Sequence, residues 1–196
     1  MDYKDIHSKQ FAGILSVGFM ILAVLISTTV LSRTEFIKQG EEAPDFTLVD
    51  QFGVEFSFKS LSGKNIVIFY TGREKSQAAA DFGRRLNNIF NSSNKTGEKK
   101  IEVVTAGNLK GVPKLLKKTV KGHIKNKKLN GKPDMSPLLL DWKGFIADKY
   151  GYNKSEVNMY IIGKDGKIVF AGTIITKENE TMAIDILNRL TGDEKE

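Results

Sequence analysis

The stretch Ile66 to Tyr70, IVIFY, runs apolar and β-prone into Thr71-Gly72, and a polar, helix-prone stretch, REKSQAA, begins at once. A continuous apolar strand must be covered on both faces, so it calls for a layered α/β architecture. The tight turn that follows sets the first N–H groups of a helix at the carboxyl end of that strand. Many α/β domains keep their chemistry at such a junction.

The pattern around the junction fits that architecture. Phe46 and Leu48 alternate with Thr47 and Val49, Gln51-Phe52-Gly53 makes a turn, and Val54, Phe56 and Phe58 alternate again, which predicts a β-hairpin. Ala78, Phe82, Leu86 and Phe90 recur every four residues and predict a helix over 74–90. Ile101 to Thr105 reads as a strand and Gly107 to Gly111 as a turn. From Val112 a second helix places Val112, Leu116, Val120 and Ile124 on one face, with Pro113 in its first turn. Leu138 to Leu140 is a short strand ending in Asp141, and Trp142 to Tyr150 a helix closed by Gly151. Two strands flank Lys164-Asp165-Gly166 as a hairpin. Thr176 then caps a last helix whose buried stripe is Ala183, Ile186, Leu187 and Leu190. Strands alternating with helices give a parallel centre with helices on both faces, edged by antiparallel hairpins.

Phe11 to Leu31 holds 21 residues without a charge. As a helix it would span roughly 31 Å, enough to cross a bilayer core. A cleaved signal peptide would have a shorter apolar region and an A-x-A-like site, which is missing here, and a buried core helix would not need every face apolar. An uncleaved transmembrane anchor is the expectation. Lys4 and Lys9 before it balance Arg33 and Lys38 after it, so the flanking charges do not set its orientation. The chain is expected to divide into a tail (1–10), the anchor (11–31), a polar linker (32–43), one domain (44–191) and a short tail (192–196).

Composition removes several chemistries. Hydrophobic residues at 40% and charged residues at 27% suit a globular domain. The chain has no cysteine, so disulfides, thiolate metal sites and thiol catalysis are all excluded. His7 and His123 are the only histidines and lie far apart, which argues against a histidine-rich metal centre. No metal and no cofactor is expected.

The order of motifs resembles a known family. Pro44-Asp45-Phe46-Thr47-Leu48, then Asp50, Gly53 and Leu61-Ser62-Gly63-Lys64 before the apolar strand, resemble the opening of the redoxin (AhpC/TSA) group. That group includes peroxiredoxins, TlpA-like tethered thioredoxins and Sco-type proteins. Tyr160 to Ile168, with Gly172 after it, is similar to the group's final hairpin. The resemblance spans about residues 40 to 191 and implies a thioredoxin-like fold: a central mixed sheet, helices on both faces and an N-terminal β-hairpin. It also implies a domain on the periplasmic or another exterior side of the membrane.

The family's chemistry does not carry over. Its redox members end the strand in F-W-A-x-W-C-x-x-C, and laying Phe69 to Arg73 on that pattern puts Glu74 and Gln77 at the two cysteine positions. A carboxylate cannot serve as the redox nucleophile. Glu74 is instead favourable as an anion at a helix start. The family's cis-proline would fall near Val157, and no proline follows Pro137. A Sco-type copper site fails for want of its cysteines. Arg73 and Leu140-Asp141-Trp142-x-Gly144, with the final hairpin, are similar to the YtfJ-type periplasmic proteins, redoxin-fold members without the cysteine motif.

Two surfaces remain as candidates. Arg73 and Glu74 could orient an anionic ligand or a partner at the helix start. Between Lys95 and Lys132 stand twelve lysines against two acidic residues, while the rest of the chain is slightly acidic. Lys114, Lys117, Lys118, Lys121 and Lys125 surround the predicted helix, either as a solvated face or as a dock for anionic headgroups or an acidic protein. Without aromatic interleaving, nucleic acid is not expected. The expected role is a non-catalytic binding or scaffolding module of the cell envelope. The alternatives are an accessory to thiol–disulfide or peroxide chemistry performed by a cysteine-bearing partner, or an electrostatic membrane-docking module.

Overall fold

The computed structural model describes residues 35–92, 98–129, 137–174 and 176–192. The expected anchor over 11–31 and the tail before it lie outside these residues. Among the described residues no helix is long and apolar enough to cross a membrane.

The elements in chain order are β1 (Thr47–Asp50), β2 (Glu55–Ser57), a 3-10 turn (Phe58–Leu61), β3 (Ile66–Thr71) and α1 (Ser76–Asn91). Then follow β4 (Glu102–Asn108), a 3-10 turn (Lys114–Leu116), α2 (Lys117–Leu129), β5 (Leu138–Asp141) and α3 (Phe145–Tyr150). The chain ends with β6 (Val157–Ile162), β7 (Ile168–Ile174) and α4 (Lys177–Thr191). The strands form one mixed sheet in the order β2-β1-β5-β4-β3-β6-β7. β3, β4 and β5 are parallel neighbours, and the hairpins β1–β2 and β6–β7 add antiparallel strands on either side.

Alternation along the central strands builds two cores. Ile66, Ile68 and Tyr70 of β3 join Tyr160 and Ile162 of β6 on the face covered by α3 and the first hairpin. Val67, Phe69, Met159 and Ile161 face the other way, against α1 and α4. All six residues of β3 are buried, as its unbroken apolar run requires. Among the described side chains, those of helix α2 belong to neither core.

Several boundaries differ from the sequence expectation. Helix α1 begins at Ser76 rather than 74, and its buried stripe is Ala79, Phe82, Gly83, Leu86 and Phe90, with Ala78 exposed. Strand β4 runs on through Gly107, which pairs with Leu140 instead of turning. Pro113 precedes a 3-10 turn, and the α-helical part starts only at Lys117. Val54 is 63% exposed, because β2 starts after it, and Phe58 opens a 3-10 turn instead of extending the strand.

The described part of the 32–43 stretch is fastened to the domain. The Ile37 N–H donates to the Tyr150 carbonyl at 3.0 Å, the Gly40 N–H donates to the Ile168 carbonyl at 2.8 Å, and the Ile168 N–H donates to the Glu41 carbonyl at 2.9 Å. Gly151 sits at φ 81, and a Cβ there would overlap the Glu35 carbonyl oxygen. Glycine is needed both for the conformation and for the close approach. The domain therefore takes in residues ahead of Pro44.

Candidate functional site

The junction after β3 is a turn over Arg73, Glu74 and Lys75, with Arg73 and Glu74 exposed. Ser76 is bound to it twice, its N–H and its hydroxyl both donating to the Arg73 carbonyl, at 3.4 and 2.8 Å. Lys75 is the N-cap residue; no side chain caps the helix, and its first turn has no acidic residue. Glu74 thus stands two residues before the helix. The sequence expectation of an anion in the first turn is corrected: the backbone stays in the turn until Lys75, so Glu74 lies ahead of the helical N–H groups. Gln77 projects from the first turn, where its Nε2 donates to Asp81 Oδ1 at 3.0 Å on the exposed face.

Val157, at the start of β6, is buried and paired with Ile174 of β7. It lines a cleft of about 160 Å³ together with Lys75, Ala78, Phe82, Ile174 and Glu180. Lys75 Nζ lies 3.5 Å from Glu156 Oε2, so an ion pair joins the helix start to the residue before β6. Of the three positions the resemblance assigned to cysteine and cis-proline chemistry, only Val157 borders this cleft. Neither Glu74 nor Gln77 lines it; Lys75 does.

Beside this open junction the end of the sheet is tightly bonded. Asp141, the last residue of β5, is fully buried. Its Oδ1 accepts from the Gly144 and Phe145 N–H groups at 2.8 and 3.0 Å, and its Oδ2 from the Ile146 N–H at 2.9 Å and the Tyr70 hydroxyl at 3.0 Å. One carboxylate thus satisfies the orphan donors at the start of α3. This explains why α3 begins at Phe145 and not at Trp142. Asn158, also fully buried, donates to the carbonyls of Tyr70, Asn153 and Glu156 at 3.0, 2.9 and 3.1 Å and accepts from the Asn153 N–H at 2.7 Å. It ties the loop before β6 to the end of β3.

Tyrosines fill the space beneath. The Tyr70 ring meets that of Tyr152 at 5.1 Å, and the Tyr150 ring meets that of Tyr160 at 5.1 Å, both edge to face. Burial, then the Asp141 charge, pushes the Tyr70 hydroxyl well above its ordinary pKa. Burial does the same to Tyr150 and Tyr160. These hydroxyls stay protonated at neutral pH, so the cluster supplies no phenolate base. Among the described residues no three metal-ligating side chains gather.

The lysines divide into two groups. Lys114, Lys118 and Lys125 are exposed, while Lys117 and Lys121 are half-buried. Lys117 Nζ stands 5.1 Å from the centre of the Trp142 ring, a cation–π contact. Lys121 reaches the first hairpin, where a Cβ on Gly53 would come 3.1 Å from its Nζ. The basic surface and the Arg73–Glu74 turn thus belong to different elements.

The mixed sheet, the helix started at the carboxyl end of β3 and the hairpin opposite it define a thioredoxin-like domain. The chain belongs to the AhpC/TSA family, whose sequence profile matches residues 39–171, and it is a member without cysteine. Among solved structures it is similar to a candidate thiol:disulfide interchange protein DsbE of Chlorobium tepidum, with 13% identity over 80% of this chain and 99% of that one and a TM-score of 0.61. It is also similar to the exposed lipoprotein thioredoxin Etrx1 of Streptococcus pneumoniae strain TIGR4, at 17% identity over 75% and 100% of the two chains with a TM-score of 0.57. A secreted thiol-disulfide isomerase of Corynebacterium glutamicum matches at 11% identity over 85% and 96%, with a TM-score of 0.59. Likeness at such identities speaks for the fold alone. No curated protein matches the chain.

Sequence reasoning missed Asp141 as a cap, Asn158 as a clamp and the Lys75–Glu156 pair. Asn158 carried a usable signal, since it is a polar residue inside the apolar strand VNMYII and a buried amide needs partners.

Proposed function

We propose that this chain is a non-catalytic member of its family, a binding or scaffolding module of the cell envelope. Residues 11–31 would hold it to a membrane with the domain on the exterior side. Its partner would be met at the Arg73–Glu74 turn and the adjoining cleft at Val157. The observation that carries this reading is the absence of a thiol at the junction, where Glu74 and Gln77 stand in the cysteine positions. A thiol enzyme of this fold needs a thiolate at the helix start. Here neither side chain can attack a disulfide or a peroxide.

The test has two arms on the full chain. Insulin reduction and peroxide consumption should not exceed buffer, and turnover above buffer would overturn the non-catalytic reading. A photo-crosslinking residue placed at Gln77 should give discrete protein adducts in intact cells, while the same residue at Glu55, on the far edge of the sheet, should give different ones. Identical adducts from both positions would remove the turn as the binding face. Because several structural neighbours are described as thiol–disulfide proteins, adducts with a cysteine-bearing oxidoreductase would favour the accessory role.

A further inference from the structure

Helix α2 is the one helix with no described side chain, Lys117 to Asn126, in either core. From Val112 to Asn126 no residue is buried. Leu115 is 92% exposed and Leu116 51% exposed at its amino end. Around these leucines stand Lys114, Lys118 and Lys125, all exposed, and Lys118 and Lys125 share a helix face two turns apart. Among the described residues no carboxylate is placed as an ion-pair partner of these three lysines. Lys121 brings the first hairpin alongside, and that hairpin carries Phe52 at 47% exposure and Val54 at 63%.

Leaving two leucines, a phenylalanine and a valine in water forgoes burial that is worth about 25 cal/mol per Å². A solvated lysine face would not need them. Cationic side chains interspersed with protruding apolar ones are what a peripheral protein brings to an anionic bilayer: headgroups take the lysines and the acyl boundary takes the leucines. A convex tip such as Leu115 suits a continuous surface better than a peptide, which needs a groove.

We propose that the α2 surface, with Lys114, Lys118 and Lys125 around Leu115 and Leu116, docks on an anionic lipid bilayer. This goes beyond the binding reading above and does not depend on it, since the Val157 cleft is on other elements.

Trp142, the single tryptophan of the chain, sits under Lys117 and reports on this face. The full chain would be reconstituted into phosphatidylcholine vesicles carrying a headgroup spin-label quencher, with or without phosphatidylglycerol. Trp142 quenching should be at least twofold stronger with phosphatidylglycerol at low salt and should fall back in 0.5 M salt. It should also fall back in K114E/K118E/K125E and, with charges intact, in L115N/L116N, each checked for native circular dichroism. All five positions are exposed, so these variants should fold. Equal quenching in neutral and anionic vesicles overturns the proposal. So does an unchanged response in L115N/L116N, because the exposed leucines would then take no part in the docking.

Discussion

Two strand-to-helix junctions stand at the carboxyl ends of parallel strands with β4 between them, and they are built in opposite ways. After β5, Asp141 is fully buried and takes four hydrogen bonds, two from the first N–H groups of α3, one from the Gly144 N–H just before it and one from the Tyr70 hydroxyl. After β3, Arg73 and Glu74 are exposed, and α1 starts without any side-chain cap. In redox members of this fold the β3 junction is where a thiolate is stabilised by helical N–H groups. This chain has its carboxylate-to-helix contact after β5 and leaves the corresponding position after β3 to solvent and a single ion pair. The bonded junction and the open one thus lie at the same end of one sheet.

The largest expected effect tests that contrast directly. Asp141→Ala strips the acceptor from three backbone donors and from the Tyr70 hydroxyl. Unsatisfied buried donors cost about 1–3 kcal/mol each, less where water enters, so the compact unit Thr34–Glu196 should lose ~3 kcal/mol or more in urea unfolding. Gln77→Ala, an exposed change at the other junction, should stay within about 0.5 kcal/mol. If the two variants unfold at similar urea concentrations, the contrast is wrong.

How far the sequence showed this contrast depends on the range of the contacts. The run Ile66 to Tyr70, the Lys164-Asp165-Gly166 hairpin and the Thr176 cap are set by near neighbours, and each formed where its pattern predicts. Thr176 accepts from the Asn179 N–H in a capping box, a signal contained within four residues. Gly107 misled because a glycine inside a strand looks like a turn, and only the pairing with β5 keeps it extended. The start of α1 was placed two residues early because Glu74 has helix propensity, and no local signal marks Lys75 as the cap. At the site, the resemblance located Glu74, Gln77 and Val157 but not their surroundings. Asn158 bonds a carbonyl 88 residues away and Tyr70 reaches Asp141 across 71, separations that no local pattern encodes.

A smaller effect concerns the tyrosines beneath the rigid junction. Burial raises the pKa of Tyr70, Tyr150 and Tyr160, so the folded state holds protons that the unfolded chain releases near pH ~10. Their contribution to stability is fully present below that pH. It is lost as pH rises from there toward the folded values, at roughly 1.4 kcal/mol per pH unit for each tyrosine. Tyr70→Phe should flatten the fall in stability between about pH 10.5 and 11.5 by one such increment, while costing about 1 kcal/mol at pH 7 for the lost bond to Asp141. An unchanged alkaline slope would mean that Tyr70 ionises in the folded protein and that the junction is wetter than its burial implies.

The smallest effect belongs to the open junction. The Lys75–Glu156 pair is 3.5 Å apart, with side chains 43% and 24% exposed, so water and salt screen it. A double-mutant cycle with Lys75→Ala and Glu156→Ala should give a coupling below about 1 kcal/mol, vanishing in high salt. The two single variants should nevertheless speed amide exchange in the first turn of α1, because no side-chain cap secures that turn against fraying. Exchange at Ile146 in α3, where Asp141 holds the N–H, should not change. A coupling above about 2 kcal/mol would place the β3 junction among the rigid parts of the fold. The ion pair would then be a structural lock, and a partner could not open the cleft by competing for Lys75 or Glu156.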